Sequence, residues 1–292
     1  MEIRVLRYFL TAAQEENITR AAEKLHLTQP TLSRQLSGLE EELGQVLFLR
    51  GKRKITLTEA GRLLQRRAGE ILELCEKTER EIRAVGDEVR GTITIGSGES
   101  MAARQLIRWI RAFSEKYPGV TFEMHTGNAD RIRERLDHGL LDLALLLSPG
   151  DLKSYGFLPL KEREYWGVLT PKDSPLAQKA AVTPQDLKGV PLITASRPAM
   201  RKQMEAWFGG EPIPPVAARH DLIANAALMA REGMGTVLTI EGAAEPYANG
   251  ALCFRRLSPE LTGSSFLVWK PHQPMGEACA CFLQFVKNAA GG

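Results

Sequence analysis

The chain has 292 residues, 43% of them hydrophobic and 25% charged, with a formal net charge of +3. That length suggests two or three domains rather than one core, and the composition is that of an ordinary globular protein. The charge excludes a polycation as a whole, yet across residues 45–67 seven Lys or Arg stand against one acid, Glu59, so a local strip is suited to a polyanion.

The opening MEIRVLRYFLTAAQEEN interrupts its apolar residues with charge every few positions, unlike a signal peptide or a membrane span. A cytoplasmic location away from any membrane is the expectation. Val5, Leu6, Phe9, Leu10 and Ala13 recur at helical spacing and predict a first helix over residues 3–14. NITRAAEKL predicts a second, capped by Asn17 or Thr19, with Ala21 and Ala22 small enough for a neighbouring helix to come close. A tight turn then leads into HLTQPTLSRQLSGLEEELG. There Thr28 is the expected N-cap, Pro30 lies in the first turn, and Leu32, Leu36, Leu39 and Leu43 form the expected buried stripe. So short a connection makes the second and third helices cross steeply, as in a helix-turn-helix. The turn lacks the usual glycine, and Leu27 is the expected core plug there.

The other side of the third helix opens with Pro30, Thr31, Ser33, Arg34, Ser37 and Gly38, with none of the glutamates found two turns later. After it, VLFLRGKRKITLT predicts two short strands, with Val46, Phe48, Ile55 and Leu57 in alternation around a basic turn. In that wing Arg50, Lys52, Arg53 and Lys54 suit phosphates, while the exposed end of the third helix suits base edges in a major groove. Arg34 is the expected base reader, through guanine O6 and N7, with Gln29, Pro30, Thr31 and Ser33 beside it. A charge run can also be plain solvated surface, and three helices can serve dimerisation or protein docking. The steep helix pair, the acid-free helix end and the basic hairpin together favour double-stranded DNA.

A long helix is predicted over residues 58–89. Gly61, Leu64, Ala68, Ile71, Cys75, Thr78, Ile82, Val85 and Val89 repeat by sevens along it, a seam for a second copy of the chain or for the protein's own second domain. Beyond it the pattern alternates strand and helix. GTITIG, VTFEMHT, LLDLALLL, YWGVLTP, VPLITAS, TVLTI and SFLVWKP read as strands, with helices between them and a last one over residues 276–288. These are βαβ units of a parallel sheet, in two lobes with a cleft at the strand ends.

Within AAEKLHLTQPTLSRQLSGLEEELGQVLFLRGKRKITLTEAG, the Thr-Gln-Pro helix start, Ser33-Arg34, Leu39-Glu40, Leu47-Phe48, Arg50, Arg53 and Leu57-Thr58-x-Ala60-Gly61 resemble the LysR-type transcriptional regulators. Weaker matches continue in GTITIG, HGLLDLALL, DSPLA, DLKGVPLI, Gly233-Met234-Gly235 and LVWKP. The resemblance implies an α/β protein with an N-terminal winged helix-turn-helix over residues 1–58, a dimerising linker helix over 59–89, and a two-lobed, periplasmic-binding-protein-like effector domain over 90–292. Its first lobe would hold about 90–162 and 267–292, its second about 163–266. It further implies a tetramer through the sensor domains, with RNA polymerase a candidate partner. Two departures stand in the sensor: Leu106-Ile107-Arg108 where the family has Leu-Leu-Pro, and Thr239-Ile240-Glu241 without its proline.

The effector reading rests on the loop GSGES, where Ser97, Glu99 and Ser100 precede a helix whose first N–H groups suit a carboxylate. Thr194, Ser196 and Arg197 follow a strand of the other lobe, and Thr126 and Ser148 end two strands of the first. Together they suit a small anionic metabolite, although Glu99 either complements the helix dipole or selects for an amine. An enzyme is not expected: there is no Gly-x-Ser-x-Gly, P-loop or His-Glu-x-x-His, and the five histidines are scattered. Four cysteines without ligand spacing predict reduced thiols, and neither a metal nor a cofactor is expected.

Overall fold

The computed structural model describes residues 1–51, 54–86, 88–147, 152–196 and 198–291. The chain divides into two compact units, Met1–Arg83 and Ala84–Gly292. No helix among the described residues is long and apolar enough to cross a membrane.

The first unit packs α1 (Ile3–Glu15), α2 (Ile18–Lys24) and α3 (Gln29–Leu43) around one core. Val5, Phe9 and Ala12 meet Ala21 and Ala22 of α2 and Leu32, Leu36 and Leu39 of α3. The alanines are essentially buried, so α2 lies close against its neighbours. Asn17 starts α2, its side-chain oxygen accepting from Thr19 N at 2.9 Å and Arg20 N at 3.1 Å. The α2–α3 turn is made by His26 at φ 55°, a left-handed residue in the place of a glycine. Leu27 is only half-buried, its amide bonded to Ala22 O at 2.8 Å, so it is no core plug. Leu43 is also not part of the buried stripe: it is 40% exposed, at the last residue of α3 before Gly44 turns away with φ 63°.

The wing consists of β1 (Phe48–Arg50) and β2 (Ile55–Leu57), paired antiparallel. It begins later than the alternation suggested: Val46 is exposed, while Leu47 and Phe48 both turn into the core, the Phe48 ring 5.1 Å from that of Phe9. Glu40 holds this hairpin to α3, since its Oε1 accepts from Leu47 N at 2.7 Å and Phe48 N at 3.1 Å. Helix α4 (Glu59–Ala84) follows. Thr58 donates its hydroxyl to Val46 O at 2.7 Å and accepts from Gly61 N at 2.9 Å, which caps α4 and ties it to the wing. A Cβ at Gly61 would collide with the Leu47 carbonyl oxygen. The first turn of α4 is therefore fixed to the wing, and because the helix ends at Ala84, Val85 and Val89 lie off the expected seam. Val89 packs instead on the core of the second unit.

In the second unit one lobe holds β3 (Gly91–Ser97), α5 (Met101–Lys116), β4 (Val120–Thr126), α6 (Ala129–Asp137) and β5 (Leu143–Leu147). The other holds β7 (Leu192–Ala195), α7 (Pro198–Phe208), β8 (Val216–His220), α8 (Ile223–Arg231), β9 (Thr236–Ile240), α9 (Glu241–Ala244) and β10 (Leu252–Arg256). β6 (Gly156–Pro171) passes from one to the other, and β11 (Thr262–Trp269) with α10 (Glu277–Gly291) returns to the first. The strand order is β4-β3-β5-β11-β6-β9-β7-β8, with β10 also on β6. Each lobe thus has a parallel trio, β4-β3-β5 or β8-β7-β9, joined through antiparallel strands rather than by one parallel sheet. YWGVLTP is only the last part of the 16-residue β6. Its charged first half, the edge strand β8 and β10 lacked the apolar runs that marked the others. Asp142 fastens β5 to β3, its Oδ2 accepting from Thr94 N and Thr94 Oγ1, both at 2.7 Å.

The two helical glycines of α4 give a matched test. Gly69 has nothing within 4 Å of a built Cβ, so Gly69→Ala should raise stability by roughly 0.5–1 kcal/mol through lower backbone entropy of the unfolded chain. Gly61→Ala should instead lower it by about 1–3 kcal/mol through overpacking. Thermal unfolding of the two variants would reveal equal effects if the Leu47 contact carried no weight.

Candidate nucleic-acid interface and ligand site

On α3 the buried leucines leave Gln29, Pro30, Thr31, Arg34 and Gly38 exposed and Ser33 partly so. The first turn contains no acid, and Arg34 has no carboxylate partner among the described residues. Thr28 precedes the helix without a side-chain capping bond; its hydroxyl lies 2.8 Å from that of Thr31. In the wing, Gly51 N bonds Lys54 O at 2.9 Å, and Lys54 Nζ lies 3.4 Å from Glu16 Oε2 with both groups well exposed. A pair so exposed is weak. Lys52, Arg53 and the side chain of Arg50 lie outside the described residues.

In the second unit the carboxyl ends of β3, β7, β8 and β9 converge with the starts of α5, α8 and α9. The amides at the start of α5 do not stand open as the sequence suggested. Met101 N donates to Oε1 of Glu164, and Gly242 N at the start of α9 donates to its Oε2 at 3.2 Å. Glu164 is 0% exposed. One carboxylate from β6, the strand that passes between the lobes, thus accepts from a helix start in each. Burial pushes its pKa above the ordinary 4.5, against the opposing pull of those two amides. A Cβ on Gly242 would strike the backbone of Ser100 and Met101, so only glycine lets α9 approach this closely.

Two further contacts join the lobes. Glu99 Oε2 accepts from Ile223 N, the first residue of α8, at 3.0 Å, which gives Glu99 the role of complementing a helix dipole, on α8 rather than α5. Arg104 of α5 pairs with Glu245 just after α9. Ser97 is buried and donates its hydroxyl to Gly98 O at 2.7 Å. Ser100 is the N-cap of α5 without a side-chain bond, and Thr126 is exposed at the end of β4. Ser196 is exposed, its amide bonded to His220 O at 2.9 Å, while Thr194 is nearly buried. Ser148 and Arg197 lie outside the described residues. The expected residues thus surround the strand ends without forming an open carboxylate seat at α5.

Sequence reasoning missed Glu164 and His220. Strand alternation held a signal for the first, because Leu158, Leu160 and Glu164 fall on one face of β6. Both ring nitrogens of His220 are buried, and burial lowers its pKa against the opposing pull of the Leu222 backbone and of Asp221.

The raised pKa of Glu164 fixes a sign. Its folded value lies above its unfolded one, so its contribution to stability is fully present below about 4.5 and is lost as pH rises through the folded value. Against Glu164→Gln, which does not titrate, wild type should compare best at acid pH and progressively worse toward neutral pH. Thermal unfolding of the pair across pH measures this, and a difference that grows with pH would contradict it.

Comparison with known proteins agrees with both units. The family model described as LysR substrate binding domain matches residues 86–291, and that described as bacterial regulatory helix-turn-helix protein, lysR family, matches residues 3–62. The Hca operon transcriptional activator HcaR of Escherichia coli (strain K12) is 32% identical over 99% of this chain and 98% of its own. HTH-type transcriptional regulator BsdA of Bacillus subtilis (strain 168) is 44% identical over half of each chain. Among solved structures, CbnR, a LysR family transcriptional regulator, superposes with a TM-score of 0.76 at 24% identity over 99% of both chains. Full-length CbnR complexed with its target DNA gives 0.74 at 22% identity, over 99% of this chain and 100% of that one. A helix-turn-helix head with a long following helix and a two-lobed α/β domain, matched along nearly its whole length, make this chain a member of the LysR family of DNA-binding transcriptional regulators rather than an enzyme.

Proposed function

We propose that this regulator binds promoter DNA in the cytoplasm as a homodimer, reading two half-sites, and that a small anionic effector bound by its second unit controls it. The observation that carries the reading is the first two turns of α3, exposed, free of acids and furnished with an Arg34 that has no carboxylate partner among the described residues. Arg34 contacts guanine in the major groove, with Gln29, Pro30, Thr31 and Ser33 against neighbouring base edges. Arg50, Lys52, Arg53 and Lys54 of the wing meet phosphates, which orient the head without choosing sequence. CbnR, solved with its target DNA, shares this fold and supports the arrangement.

Self-association is read from α4. On the heptad seam Ile82 is 68% exposed, Thr78 is exposed, and Ile71 and Cys75 are only partly buried, so a partner helix would cover them. Pairing into tetramers through the second unit, and contact with RNA polymerase, extend the same reading from the family resemblance. The effector acts by binding one arrangement of the paired heads better than another, since equal affinity for both shifts nothing.

Arg34→Ala should cost on the order of 1–3 kcal/mol in promoter affinity and relax preference at one base pair. Arg53→Ala should weaken all sequences alike and reduce the salt slope by about 1. Gel shifts over a salt series read both, and an equal loss on every sequence for Arg34→Ala would make it a phosphate contact. Charged replacements at Ile71 and Ile82 should yield monomers by sedimentation; an intact dimer would exclude the α4 seam.

A further inference from the structure

We propose that the second lobe carries a ligand pocket of its own, on the α7 side of its sheet, for a small monocarboxylate with a compact apolar body. This rests on the reading of the second unit as effector-binding, and assigns that effector a site and a chemical class. The cavity measures about 290 Å³, at the small end of ligand pockets and too small for a nucleotide or a peptide. Leu192 and Leu238 line it from the sheet, and Met204 and Phe208 from α7. An apolar body bound there loses water on two sides.

Its polar groups all favour an anion. Arg201 and Arg219 both line the cavity, with no carboxylate among the lining residues. Arg201 shares one N–H with Glu205 at 2.9 Å and keeps the rest of its fork, while Arg219 has no carboxylate partner among the described residues. Thr194 joins them, nearly buried and with a hydroxyl that has no partner among the described residues. Two guanidinium groups beside a hydroxyl suit a carboxylate, which accepts through both oxygens. The other seat for an anion, the start of α5, already holds Glu164 with no exposed surface. An external carboxylate there would have to displace the protein's own. In the pocket, α7 would close over the ligand, so occupancy would be felt as the ordering of that helix on the sheet.

The test is calorimetric titration of the full chain with phenylacetate, benzoate and isovalerate, each beside its neutral amide. At least one acid should bind, its amide about ten-fold or more weaker, the loss expected for charge-assisted hydrogen bonds. Arg219→Gln, a change at an exposed position of an edge strand, should weaken the acid by a similar factor. Val216→Trp, which fills the cavity from the same strand, should abolish binding while circular dichroism stays unchanged. Acid and amide binding equally would overturn the anionic class. Binding that survives both variants but is lost in Ser100→Ala would return the ligand to the strand-end cleft; the pocket would fall and the effector reading would stand. Heat from none of the acids would overturn the pocket, while promoter binding by wild type and its loss in Arg34→Ala would leave the DNA reading intact.

Discussion

A carboxylate with no exposed surface governs how the ligand-binding unit is put together. Moving an ion such as Glu164 out of water costs several kcal/mol unless its oxygens are fully bonded. Here Oε1 accepts from Met101 N of one lobe and Oε2 from Gly242 N of the other. The starts of two helices thus meet on one carboxyl group from β6, whose charged form burial disfavours in spite of the two amides. Glu99 on α8 and Arg104 with Glu245 repeat the pattern around it. The Glu99 and Arg104 contacts cross from lobe to lobe, while Glu164 on the passing strand holds a helix start in each.

The reading head follows the opposite logic. Its apolar residues are spent on a closed core, and its polar motif residues work on the inside: Glu40 clamps the wing to α3, while Thr58 and Gly61 seat α4 against Leu47. With these fixed, α3 and the wing keep a set geometry relative to one another, which a reader of base edges and phosphates needs. The exposed side chains of Gln29, Pro30, Thr31 and Arg34 have no partner among the described residues beyond the bond between Thr28 and Thr31. Surface free of internal partners is surface a nucleic acid can use.

An effector can act on such a protein only through a difference in affinity between two arrangements. The bonds around Glu164 define one arrangement of the ligand-binding unit. A ligand that tightened α7, or one that displaced an interlobe bond, would change the balance in different ways, and the pH response of Glu164 offers a handle on it that needs no ligand at all.

By itself, the sequence determined the identity of the elements that repeat locally. Leucines at helical spacing, a proline in a first turn and alternating strand formers are short-range signals, so α3, the wing, most of the α/β alternation and the LysR resemblance were legible from them. The residues proposed for base contact were read in the same way, as what the buried stripe of α3 leaves over. Tertiary structure alone decided that Leu43 is exposed, that α4 stops at Ala84, and that His26 bends where glycine was missing. It alone also decided that the seat expected for an effector's carboxylate belongs to Glu164, which lies 63 positions from Met101 and 78 from Gly242. Helix starts advertise their amides in sequence, but which acid reaches them depends on where β6 passes between the lobes, and no local pattern encodes that distance.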